Sequence, residues 1–163
     1  MTRVTARVAF AMLAAAVIGG QAGYLGASRA QMGEKRFFTV AAVEPRGGVN
    51  VSQEPFPAEP LPAGGGYVIR PPDPSGRWEV SAYLWSPGQI VVREGDDVVI
   101  DFVGLNGASH PTEIKGLGKA FALSRGQVVR VEFKAERAGV YPVVCATHQP
   151  SMRGEIVVLP KAS

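Results

Sequence analysis

From residue 78 onward, apolar and polar positions alternate with a period of two, in short runs. Residues 78–85, 89–93, 97–103, 120–123, 128–134, 140–144 and 155–159 each read this way, rich in Val, Ile and Phe. Turn residues punctuate the series, as at Ser86-Pro87-Gly88 and Glu94-Gly95-Asp96. Successive side chains of a strand point to opposite faces, so a period of two marks a strand with one buried face. Short strands separated by turn signals roughly every 8–12 residues predict a sandwich or barrel of about seven or eight strands. No segment sustains a 3.6-residue period over three turns. The expected class is all-β.

Upstream the pattern is lost. Eight of the thirteen prolines lie between Glu44 and Trp78, together with the triple glycine 64–66. Proline lacks a backbone donor and fixes φ, so this stretch is expected to form no regular ladder. Residues 31–77 therefore read as a Pro/Gly-rich linker or arm, with Tyr67 to Arg70 as one short strand. An apolar patch, FFTVAAV, precedes it with no predicted structure. Residues 1–30 combine a basic start, an apolar run from Val8 to Ile18 and small residues at Ser28 and Ala30, which reads as a signal peptide. The run is short beside the roughly 20 apolar residues of a spanning helix. Left uncleaved, residues 8–27 would tether the chain to a membrane. The boundaries are thus 1–30 signal or anchor, 31–77 linker, and 78–163 folded domain, with a periplasmic or other extracytoplasmic location.

The formal charge of +3 changes little, because Arg3, Arg7 and Arg29 account for all of it. A balanced remainder lacks the clustered basic face that nucleic-acid binding requires. One cysteine in the whole chain excludes an internal disulfide. In an exported protein a lone thiol is reactive or metal-bound.

That cysteine, Cys145, begins the candidate chemistry. The stretch GVYPVVCATHQPSMRGEIVVLP places Cys145, His148 and Met152 on one loop between two strands. A thiolate, an imidazole and a thioether are donors that copper selects, and a second imidazole would complete a trigonal His₂Cys set with a weak axial Met. Only His110, in NGASHPTEI, remains to supply it. The metal site is expected to be one copper ion, Cu(I)/Cu(II), held by His110, Cys145, His148 and Met152. A lone Cys more often fills a core, and Met152 could do the same. The convergence of four suitable donors outweighs that reading. Glu113, three residues after His110, falls on the opposite face of a strand and reads as a surface carboxylate. Tyr83 and Trp85 could flank the site, but packing under the Pro-Gly turn is the favoured expectation. Ser109 and Ser124 have no spare histidine to activate them, so nucleophilic catalysis lacks its base.

PGQIVVREGDDVVIDF, then SH, then FKAERAGVYPVVCATHQPSMRGEIVV resembles the second half of a cupredoxin. The pattern is most similar to the branch holding nitrosocyanin and the copper-A domains of cytochrome oxidase subunit II and nitrous oxide reductase. The resemblance spans roughly residues 78–160 and implies a Greek-key β-sandwich with a copper site at one end. Gln149 stands where a copper-A loop needs its second cysteine, so a dinuclear centre cannot form. The region of Ser86-Pro87-Gly88 offers no counterpart of the nitrosocyanin glutamate ligand. Thr147 and Pro111 occupy positions where plastocyanin-type members carry Pro and Asn.

Three functions follow as expectations. The first is one-electron transfer between redox partners such as a cytochrome or an oxidase, without catalysis of its own. The alternative is a red-copper, nitrosocyanin-like site with an open position for a small molecule such as nitric oxide. The third is copper delivery to an oxidase copper centre. Four methionines, two of them in the export segment, suit that last role poorly.

Overall fold

A computed structural model describes residues 33–62 and 64–161. The expected export segment and the tether over 8–27 lie outside the described residues. Twelve strands and no helices make up the described chain. Two sheets face each other as a Greek-key sandwich. One has the order β10-β7-β1-β5, from β10 (Val128–Lys134), β7 (Asp97–Gly104), β1 (Lys35–Val43) and β5 (Leu84–Ser86). The other has the order β6-β12-β11-β8-β9, from β6 (Gln89–Arg93), β12 (Arg153–Leu159), β11 (Gly139–Cys145), β8 (Ser109–Ile114) and β9 (Lys119–Ser124). A third, smaller sheet sets β4 (Arg77–Ala82) between β2 (Arg46–Asn50) and β3 (Tyr67–Arg70).

The alternation seen in the sequence becomes the core. β6 buries Ile90 and Val92 and exposes the residues between, while β12 buries Gly154, Ile156 and Val158. β7 lies between β10 and β1 in its sheet and buries Val98, Val99, Ile100, Phe102 and Gly104. Ile100 and Phe102, at 0% and 1% exposure, pack with Val40, Leu123, Val131 and Ile156 between the sheets. Removing such a side chain from water contributes about 1.5–3 kcal/mol. Asp96 sits in the β6–β7 turn as a buried structural carboxylate. It accepts the backbone N–H groups of Glu34 (2.9 Å) and Arg93 (3.0 Å).

Two features depart from the sequence reading. The apolar patch at FFTVAAV is β1, an interior strand paired in parallel with β7 along eight positions, from Lys35↔Asp97 to Ala42↔Gly104. A parallel pair needs a long crossover, and its partner lies some sixty residues away, so no local signal in the sequence joins the two. The expectation that 44–78 forms no regular ladder is also corrected. β4 pairs antiparallel with both β2 and β3. The prolines are compatible with this because each falls in a connection: Pro45 before β2, Pro55 to Pro62 between β2 and β3, and Pro71 to Pro74 between β3 and β4. Trp78 anchors this sheet, 8% exposed, with Nε1 donating to the Glu54 carbonyl at 3.0 Å and its ring edge-on to Phe56.

Candidate metal centre

β8 and β11 are neighbours, with Cys145 opposite Thr112. The two-residue period of β8 turns His110, Thr112 and Ile114 inward and leaves Glu113 exposed. His110 is therefore a diagonal neighbour of Cys145 on the inner face, within side-chain reach. The loop from Cys145 to Met152 then folds back on itself. Met152 N–H donates to the His148 carbonyl (2.9 Å), and Cys145 N–H donates to the Met152 carbonyl (3.2 Å). Gln149 Nε2 donates to the Cys145 carbonyl at 2.8 Å, closing the loop from its outer side. The Ala146 N–H donates to the Pro111 carbonyl at 2.8 Å, so backbone alone ties this loop to β8.

Three donors converge as a result. His110 Nδ1 lies 3.3 Å from His148 Nδ1, and Cys145 Sγ lies 3.4 Å from the same nitrogen. All three donor atoms fall within 4.8 Å of one another. Met152 is fully buried beside them in the same apolar cluster as Cys145. The tautomer of the neutral His110 ring follows from its partner: Nε2 is 2.8 Å from the Asn106 carbonyl, which can only accept, so Nε2 is the protonated nitrogen and Nδ1 the one that can bind a metal. For His148, burial and then the neighbouring His110 push the pKa below the ordinary imidazole value, favouring the neutral ring that a metal needs. A thiol and two imidazoles whose donor atoms converge fit a copper ion.

Around the imidazoles lies a shell of residues of which the sequence offered only Tyr83, as one of two aromatics that could flank the site. Tyr83 is stacked on His148, with ring centroids 3.6 Å apart and planes at 11°, and approaches His110 edge-on at 5.9 Å. Tyr83 thus takes the flanking place that the sequence allowed, and the favoured expectation of packing under the Pro-Gly turn is corrected; Trp85, 4% exposed, packs in the core with its ring centroid 6.3 Å from that of His110. Glu44 is 7% exposed and ion-paired to Arg46 at 2.8 Å. The Arg46 hydrogen bond outweighs burial and holds the Glu44 carboxyl below its usual range, while burial and then the neighbouring Glu44 carboxylate push the Tyr83 phenol up. Asn106 clamps the backbone of Glu44 on both sides, accepting from its N–H at 2.6 Å and donating to its carbonyl at 2.9 Å. Gly107, at φ +85°, lets this loop press on the site: a Cβ there would stand 2.7 Å from the His110 ring. In the sequence, Tyr83 as a flanking aromatic and the Asn-Gly turn before His110 were the signals of this shell.

A β-sandwich closed at one end by a buried His-Cys-His cluster defines a class of single-metal proteins. The Cupredoxin-like domain family matches residues 73–158, just over half of the chain, and the chain belongs to that family. A single copper ion is the cofactor that this membership and the donor set support. No curated protein matches the chain in sequence. Among solved structures, a multicopper oxidase is similar at 18% identity and a TM-score of 0.51, over 77% of this chain and 42% of that one. Copper nitrite reductase from Nitrosomonas europaea gives 19%, 0.50, 78% and 42% in the same order. A heme-copper terminal oxidase dimer gives 26%, 0.39, 44% and 51%. The chain spans about half, or less, of each of these. The likenesses to the multicopper oxidase and the nitrite reductase show the fold.

Proposed function

We propose that this chain carries single electrons between redox partners through one copper ion held by His110, Cys145 and His148, with Met152 as a weak axial donor. The observation that carries the reading is the convergence of one thiol sulfur and two imidazole nitrogens within 4.8 Å at the end of a rigid sandwich. When bound, copper would supply a one-electron Cu(II)/Cu(I) couple. The residues supply the rest. His110 is fixed through the Asn106 carbonyl, and the Cys145–Met152 loop is fixed by its own hydrogen bonds. Donors held this firmly change position little when charge changes, which keeps the cost of reorganisation low. Fully buried Met152 and the Tyr83 ring over His148 favour the carrier over a site open to a small molecule. We further propose residues 1–30 as an export signal or anchor, an extracytoplasmic location, and a cytochrome or oxidase as partner.

The test is an absorption spectrum of the copper-loaded chain with a metal analysis. One copper per chain and an intense sulfur-to-copper band that Cys145→Ser abolishes are expected. A full-strength band in Cys145→Ser would overturn the assignment. His110→Ala should change the colour, because one imidazole is lost and a position opens.

A further inference from the structure

A run of neighbouring groups leads from one imidazole to the other around the metal position. It starts at His110 Nε2, which donates to the Asn106 carbonyl. The Asn106 side chain then grips both backbone polar groups of Glu44. The Glu44 carboxylate, ion-paired to Arg46, comes close enough to the Tyr83 phenol to push its pKa up. Tyr83 finally lies flat on the His148 ring. Glu44 and Tyr83 belong to the chain between β1 and β5, outside the loops that carry the donors. The same segment meets the Cys145–Met152 loop a second time: Gly66, at φ +77°, approaches Ser151 so closely that any Cβ would collide with it.

We propose that Tyr83 is a positioning residue whose ring fixes the His148 ring in its metal-binding orientation and shuts small external ligands out of that side of the site. His148 needs such help more than His110 does. His110 is completely buried on a strand and has a hydrogen bond fixing its far nitrogen. His148 is half-buried in a loop with its Nδ1 turned to the other two donors, and the stacked Tyr83 ring restrains the plane of its imidazole. A ring face covered at 3.6 Å leaves no room for water or an anion on that face. The inference rests on the copper reading, and its test separates the two.

In the metal-free full chain, ring-current shielding should move the His148 ring protons upfield of those of His110 in a carbon–proton correlation spectrum. Tyr83→Leu should return them to ordinary positions, and Tyr83→Phe, which keeps the ring, should not. In the copper-loaded chain, Tyr83→Leu should release copper to a chelator roughly tenfold faster or more, the scale on which outer partners act, with Tyr83→Phe near wild type. Azide should change the Cu(II) spectrum of Tyr83→Leu and leave that of the wild type unaltered. Unshifted His148 protons in the wild type, or a Tyr83→Leu chain with wild-type release and azide response, would overturn the proposal. Should Tyr83→Leu fail to fold, the wild-type shifts decide alone. A wild-type chain that takes up no copper would instead overturn the copper reading, while the metal-free spectra still judge the stack.

Discussion

Gly107→Ala offers a clean measure of how tightly the shell is built around His110. Two costs arise. Alanine at φ +85° leaves the right-handed and extended regions, which costs about 1–2 kcal/mol for a residue with a Cβ. The new methyl would also lie 2.7 Å from both Cε1 and Nε2 of His110, whose ring is fully buried and has nowhere free to go. Moving that ring weakens its bond to the Asn106 carbonyl, worth about 1 kcal/mol. The metal-free chain should therefore lose about 2–3 kcal/mol in urea unfolding. Gly118→Ala is the control. It too has positive φ, +61°, but open space at its Cβ, so it should cost only the backbone part. Copper affinity separates the two further: about 10–100-fold weaker in Gly107→Ala, unchanged in Gly118→Ala. Equal losses in the two variants with equal copper affinity would refute the claim that this loop presses on the imidazole.

Ile100→Ala, at the centre of the sandwich, should cost about 2–5 kcal/mol in urea or thermal unfolding without shifting the spectrum of the copper-loaded chain. Met152→Leu should keep stoichiometric copper and raise the midpoint potential in voltammetry, because losing a weak donor favours Cu(I); an unchanged spectrum and potential would mean that the thioether is not at the metal. Asp96 gives a pH dependence. Burial would raise its pKa, but the N–H groups of Arg93 and Glu34 and the Arg36 guanidinium outweigh burial and lower it below 3.8. Its stabilisation is thus complete above that ordinary value and is lost as pH falls through the lower folded value. Asp96→Asn should flatten the acid limb of a stability–pH curve measured by urea unfolding, and an unchanged limb would count against the assignment.

How legible the chain was depended on how local each signal is. β6, β7, β10 and β12 were readable because period-two burial and flanking turns are contained in a few residues. Cys145, His148 and Met152 were readable for the same reason, and His110 because no other histidine remained outside their loop. β1 was not, since what defines it is a parallel partner across the chain. Its own signal, FFTVAAV, fits a strand or part of a buried helix equally well. Glu44 and Asn106 were hidden more deeply still, and Tyr83 was legible only as one of two aromatics that could flank the site. None has a residue type peculiar to metal sites, and their roles arise from a stack, an ion pair and a side-chain clamp that exist only after folding.

The proline-rich segment and the shell around the imidazoles have one origin in the topology. Placing β1 parallel to β7, with β5 antiparallel at its other side, forces the chain to travel from the end of β1 at Val43 to the start of β5 at Leu84 before the sandwich can continue. Val43 and Leu84 are themselves paired, so both ends of that excursion are held at one place, next to the Asn106–Gly107 loop. Closing a long loop costs only slightly more than closing a short one. Such a loop can therefore carry a sheet of its own, β2-β4-β3, at little thermodynamic expense. Its two ends, Glu44 and Tyr83, are then delivered to the imidazoles by the same pairing that holds β1 in the sheet. Disturbing the β1–β5 pair should thus disturb the site at a distance. Ala42→Pro would remove a donor and force a larger ring into a fully buried position of β1, and a clash in a packed strand is not confined to one residue. The expected result is a changed copper spectrum as well as lower stability. A variant that loses stability while keeping the wild-type spectrum would show that the shell stands independently of the strand that delivers it.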